Sequence, residues 1–213
     1  MQRERTDAKP TAFRVNGATL VQLGAGDKAS RVRHAVDALS IAQQSGLVDV
    51  GARTAPLAVE AGAVTAGSTS VESQNLDAVG AAFGSAEGLA PHFSPDAVIE
   101  DLTAGQTAHG RDAVAAAMAR VKGAFPAVAM TAESSFAAGP FVVVDRVVTG
   151  RSTGALGPLP ATGRPVRYHA LDVYELSNGV ITRAWLYADR SEVAVQLGLN
   201  SAEAIPGLGV GAK

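Results

Sequence analysis

Apolar residues fall into two regimes along the chain, and the regimes meet near residue 70. Before that point, ATLVQL (18–23) reads as a short strand. DKASRVRHAVDALSIAQQSG (27–46) sets Val32, Val36, Leu39 and Ala42 at three- and four-residue steps, which predicts an amphipathic helix. Residues 51–70 are Gly/Ala/Thr-rich and aperiodic, as in a linker. Beyond residue 70 the pattern tightens. Leu76, Val79 and Phe83 share one side of a predicted helix over 71–85, and a short helix is expected around AEGLAPHF. A strand over 95–105 and a helix over 110–125, stopped by Pro126, come next. Strands follow over 128–137, 141–152, 166–176 and 180–188. AAGP (137–140) and SNG (177–179) are tight connections, Asn-Gly being a strong hairpin signal. A last helix is predicted over 189–199. Helices early and strands late indicate an α+β class with a mostly antiparallel sheet. Such a sheet, strongly curved and covered by helices, encloses a conical pocket. The predicted organisation is an extension (1–70), one domain (71–200) and a flexible tail (201–213).

Strand alternation sorts the candidate chemistry. In 166–176 one face carries Val166, Tyr168, Ala170, Asp172, Tyr174 and Leu176, so a single carboxylate sits between two tyrosines on an apolar face. That position is costly unless the group is paired. It suits a general acid or base, or a structural Asp satisfied by an arginine or a tyrosine hydroxyl. The other face carries Arg167, His169, Leu171, Val173 and Glu175, where His169 is either a proton shuttle or an exposed strand residue. Glu100 and Asp101 must point to opposite faces of their strand, as must Asp145 and Arg146. Trp185 and Tyr187 share a face with Ile181 and Arg183 by the same alternation, either as core, as dimer interface or as an apolar wall for a flat substrate. Asp189 and Glu192 have capping-box spacing ahead of the last helix. QLGAGDKA (22–29) contains G-x-G-x-x-A, but residues 1–70 hold too few βα units for a dinucleotide domain, and the stretch reads as a turn.

Composition narrows the classes. The 213 residues are 47% hydrophobic and 18% charged, with a net charge of -2. No basic stripe marks a nucleic-acid partner. Four histidines and no cysteine leave little for a structural zinc site, and no metal or cofactor is expected. No apolar run reaches the ~18 residues of a membrane span, and no apolar signal core follows MQRERTDAKP, so the expected location is cytoplasmic.

The stretch from about 72 to 199 resembles the SnoaL-like polyketide cyclases of the nuclear transport factor 2-like superfamily. PDAVIED, GRDAV before a helix ending in FP, VTGRSTG, LPATGRPV and HALDVYELSNGVITRAWLYADRSEVAVQLG carry the likeness. The resemblance implies a conical α+β barrel, a homodimer or higher oligomer packed through the sheet, and cofactor-independent acid–base chemistry on polyketides. It places the aldol cyclases' strand aspartate at Leu186, a further pocket position at Asp172, and Asp101 rather than Glu100 on the pocket side. The expected enzyme therefore uses Asp172 with Asp101 as second carboxyl and His169 as a possible shuttle. Tyr168, Tyr174, Arg146, Trp185, Tyr187 and Leu186 would line the pocket around a small apolar carbonyl compound. Two rivals are an epoxide hydrolase-like enzyme and a non-catalytic binding or assembly module on the same fold.

Overall fold

The computed structural model describes residues 17–36, 44, 65–84, 88–102, 106–156, 160–188 and 190–198. In chain order it contains β1 (Gly17–Leu23), β2 (Ala29–Val36), α1 (Ser70–Gly84), β3 (Phe93–Asp101), β4 (Gln106–His109) and α2 (Arg111–Ala124). β5 (Ala129–Ala138), β6 (Phe141–Arg151), β7 (Pro165–Ser177), β8 (Val180–Ala188) and α3 (Arg190–Leu197) complete it. Six strands form one sheet in the order β4-β3-β8-β7-β6-β5, antiparallel except for the β3–β8 pair. β1 and β2 pair separately as a hairpin.

Local chemistry explains the framework. Asn178 and Gly179 take φ of 52° and 73°, the left-handed pair that a two-residue hairpin loop demands, and so lock the β7–β8 register. The start of α1 is a reciprocal box: Thr69 N–H donates to Glu72 Oε2 at 2.9 Å, and Glu72 N–H donates to Thr69 Oγ1 at 3.3 Å. Glu72 Oε1 also accepts from Gly139 N–H at 2.9 Å, and Asn75 donates to the Gly139 carbonyl at 3.2 Å, which pins α1 to the β5–β6 turn. The Gly139 and Thr69 donors, Gly139 first, hold the Glu72 carboxyl below its ordinary pKa.

α1 and α2 cover the concave side of the sheet. Val79, Phe93, Ala97, Ile99, Val114, Val142, Val144, Tyr174, Leu176, Ile181 and Ala184 form the main core there. A smaller core joins the end of α2 to α3 through Phe125, Val166, Val193 and Leu197.

Three expectations need correction. Residues 29–36 of the expected helix are strand β2; residues 37–43, 45 and 46 lie outside the described residues. Val32 and Val36 satisfy a helical step, but Arg31, Arg33 and Ala35 also alternate with Val32, His34 and Val36, and pairing with β1 selects the extended form. The G-x-G-x-x-A stretch is the turn of that hairpin, with Gly26 at φ 69°. β4 was not expected, being four residues long with little apolar content. Thirdly, the pairing jumps from Glu175↔Arg183 to Leu176↔Ile181, so Thr182 is a bulge. The extra residue breaks the alternation and puts Ile181 in the concave core while Arg183 and Trp185 face the other way. Asp189, residues 51–64 of the linker expected over 51–70, and the tail 201–213 lie outside the described residues.

Candidate functional site

Asp172 lies at the middle of the concave face and is wholly buried. On one side β8 sets Leu186 opposite it, and Leu186 is in turn paired with Asp101 of β3. Asp101 is thus on the same face but two strands away, roughly 9–10 Å by strand spacing. On the other side, Arg146 of β6 reaches Asp172 with both arms of its guanidinium: Nε donates to Oδ2, and Nη2 donates to Oδ1 at 3.2 Å. The Tyr174 hydroxyl also donates to Oδ2, at 3.0 Å. Burial pushes the Tyr174 phenol well above the usual range, and the Asp172 charge adds to the push. For Arg146 burial acts in the opposite direction, but the Asp172 charge and bond outweigh it and keep the guanidinium charged. Tyr168, on the same face, adds to that effect.

A cavity of about 370 Å³ opens beside this cluster, between α1, α2 and the start of β5. Phe83, Leu89, Met118, Lys122, Val128 and Met130 are among its walls. Asp172 does not itself face it. Met130 stands between, with its sulfur 3.8 Å from Arg146 Nη1, and Phe83 meets the Tyr174 ring edge-on at 6.1 Å between centroids. Sequence reasoning missed these wall residues because apolar positions on α1 and α2 read as ordinary core. The available signal was methionine: both internal methionines, Met118 and Met130, line the cavity, and this flexible side chain suits an adaptable wall. Among the described residues, Lys122 is the single charged member of the wall.

The remaining candidates are on the convex face. His169, Trp185 and Tyr187 point away from Asp172 and do not line the concave cavity. The Thr182 bulge is the physical reason that Trp185 and Tyr187 leave the face of Ile181. Arg183 donates to Glu100 Oε2 at 2.7 Å, and its guanidinium carbon lies 4.5 Å over the Trp185 ring. Burial and the neighbouring Glu100 charge push the Tyr187 phenol up. Nearby, β2 lays Arg33 over the sheet, where it donates to Asp145 Oδ1 and, at 3.2 Å, to Glu133 Oε2. Among the described residues, no helix is long and apolar enough to cross a membrane.

Comparison with known proteins gives the same fold. The family model "SnoaL-like polyketide cyclase" matches residues 76–197. A protein from Jannaschia sp. CCS1 assigned to the SnoaL-like polyketide cyclases superposes with a TM-score of 0.58 at 20% identity, covering 63% of this chain and 99% of that one. A protein of ketosteroid isomerase-like fold from Catenulispora acidiphila, solved with trimethylamine, gives 0.51 at 25% identity over 62% of this chain and 97% of its own. TsrD from Streptomyces laurentii gives 0.51 at 19% identity over 60% and 94%. No curated protein matches the sequence significantly.

Proposed function

Because the chain belongs to the SnoaL-like polyketide cyclase family, we propose that it is a small cofactor-independent enzyme that performs acid–base chemistry on an apolar, polyketide-like carbonyl compound. Cyclisation, isomerisation and dehydration all begin with the step this site suits, removal of a proton from a carbon next to a carbonyl. The observation that carries the reading is the buried Arg146–Asp172–Tyr174 cluster behind an apolar cavity. Asp172 Oδ2 accepts from two donors, whereas Oδ1 accepts from Arg146 alone and keeps a lone pair for a substrate proton. Arg146 supplies the donor that an enolate oxygen needs, since its Nη1 meets only the Met130 sulfur at 3.8 Å while the Tyr174 hydroxyl is committed to Asp172; in a water-poor setting such a donor counts for more than in water. A substrate reaches them when the Met130 side chain rotates aside, which its three rotatable bonds permit. The family resemblance puts the aldol cyclases' acid at Leu186, which carries no titratable proton, so on this reading the proton chemistry rests on the neighbouring strand at Asp172.

The binding-module reading has one observation in its favour: among the described residues the cavity wall is apolar apart from Lys122, and Asp172 and Asp101 lie behind it or aside from it. One panel separates the two. The protein is incubated with aromatic and alicyclic poly-β-ketones, and binding and conversion are measured together. Saturable binding with conversion is the enzyme's result; stoichiometric binding with unchanged compound is the module's. Ala119→Trp, which fills the cavity from α2, is expected to abolish binding with the fold intact by circular dichroism. Undiminished binding in that variant would move the site elsewhere.

A further inference from the structure

The convex face carries a second cluster, independent of the concave site. Glu133, Asp145 and His169 come from the adjacent strands β5, β6 and β7, and each offers one ligand-type atom within 4.8 Å of the other two. Glu133 gets there by a bulge: Ala132 pairs with Arg146 and Ser134 with Asp145, which leaves Glu133 as the extra residue of its strand. Bulges of this kind re-aim side chains next to functional sites. Asp145 is only 1% exposed, yet its Oδ2 has no hydrogen-bond partner, and neither has the buried Nδ1 of His169. Buried polar atoms of this sort are normally satisfied. A separate cavity of about 160 Å³, walled by Arg33, His34, Ala35, His169 and Leu171 among others, adjoins the cluster at His169.

We propose that Glu133, Asp145 and His169 form a binding site for a divalent transition-metal ion, and that Arg33 of the β1–β2 hairpin competes with the ion for it. One nitrogen and two carboxylate oxygens, without thiolate, suit Zn(II), Co(II) or Ni(II). Metal–ligand bonds of about 2.0–2.2 Å require the three atoms to draw together by roughly 1–1.5 Å, within reach of side-chain rotation. Arg33 already holds Asp145 Oδ1 and Glu133 Oε2, so it leaves Asp145 Oδ2 for the ion and shares Glu133 with it; ligation at His169 Nδ1 puts the imidazole proton on Nε2 and displaces the 3.4 Å contact from Arg167 Nη1. Arg31 and Arg167 also reach Glu133, at 3.1 and 3.5 Å, and weaken its hold on a metal in the same sense.

Zn(II) and Co(II) are titrated into the full chain by calorimetry, and the Co(II) spectrum reports coordination. The expected result is one ion per chain, with affinity lowered about tenfold or more by His169→Ala and by Glu133→Gln. His169 is partly exposed, so its truncation keeps the fold, as circular dichroism would verify; Asp145→Asn is not needed. Arg33→Ala removes the competing charge. It is expected to bind Zn(II) more tightly than the unmodified chain and to gain more in melting temperature from it. Absence of saturable binding for both ions would overturn the proposal. So would binding unchanged by His169→Ala, which would assign the ion to other histidines. Equal affinity in Arg33→Ala would overturn the competition.

Discussion

Removing the charge of Asp172 would strand Arg146 as a buried cation, so the pair has to be considered together. Breaking a buried pair by deleting one partner costs about 3–5 kcal/mol, whereas replacing both with apolar groups is often close to neutral. Tyr174 makes one further bond to the same oxygen, and Tyr174→Phe is expected to cost about 1 kcal/mol in urea unfolding. Its phenol has the clearest pH signature. The folded state holds the Tyr174 proton above the ordinary range, while the unfolded chain releases it near pH ~10. The stability tied to that proton is present below the unfolded value and is lost as pH rises past it. Alkaline titration followed by phenolate absorbance should show Tyr174 ionising last of the three tyrosines, together with unfolding. Tyr174→Phe should remove that step, and an unchanged titration would contradict the assignment. Strand alternation was enough to place Asp172, Tyr168 and Tyr174 on one face, but it left open which of Asp145 and Arg146 joins them. It could not show that Arg146 and Asp172 would meet, since that depends on pairing between strands 20 and more residues apart.

At the scale of elements, the β1–β2 hairpin is where sequence and structure part most. Residues 29–36 fit both periods, and only the partner strand decides between them. Likewise one inserted residue, Thr182, undid the face assignment of Trp185 and Tyr187, because alternation has no means of seeing a bulge. From Ser70 to Leu197, by contrast, the helices and longer strands were legible, since each has a buried stripe, a turn signal or a stop. The hairpin's function in the fold rests unequally on its arginines. The Arg33 side chain is 13% exposed and meets a buried Asp145, while that of Arg31 is 48% exposed and meets Glu133. Arg33→Ala should therefore destabilise by roughly 3–5 kcal/mol, as for a broken buried pair. Arg31→Ala should cost no more than about 1 kcal/mol, as for a surface pair. Equal effects in chemical denaturation would show that the hairpin does not dock through Asp145.

For the whole molecule, the question is how far the sheet and its helices stand without residues 1–66. The Jannaschia protein is covered over 99% of its length by a match to 63% of this chain, so a chain of that smaller size adopts the fold. Deletion of residues 1–66 is expected to leave a cooperative thermal transition at a lower temperature, since Asp145 loses Arg33; a non-cooperative melt would make the hairpin part of the core. The homodimer or higher oligomer implied by the family resemblance would pack through the sheet. Leu171 and Trp185 are 2% and 7% exposed within one chain, and Ile181 belongs to the concave core, so none of them offers area to a partner. We propose a dimer through the uncovered part of the convex face around Phe141, Val143 and Val173. Light scattering should give twice the 21.5 kDa chain mass, and a 21.5 kDa species would contradict it.

The central claim, proton abstraction by Asp172 from a carbonyl compound held in the concave cavity, is tested most directly by isotope exchange. Compounds that bind are incubated with the protein in deuterium oxide, and deuterium uptake next to the carbonyl is followed by mass spectrometry. The comparison is with the double variant Asp172→Asn/Arg146→Met, which removes both charges together and so avoids a buried lone cation. The account predicts exchange faster than in buffer for the unmodified chain, and a loss of about 10²–10⁴-fold in the folded double variant. Exchange no faster than buffer for every bound compound, or equally fast in the variant, would contradict it.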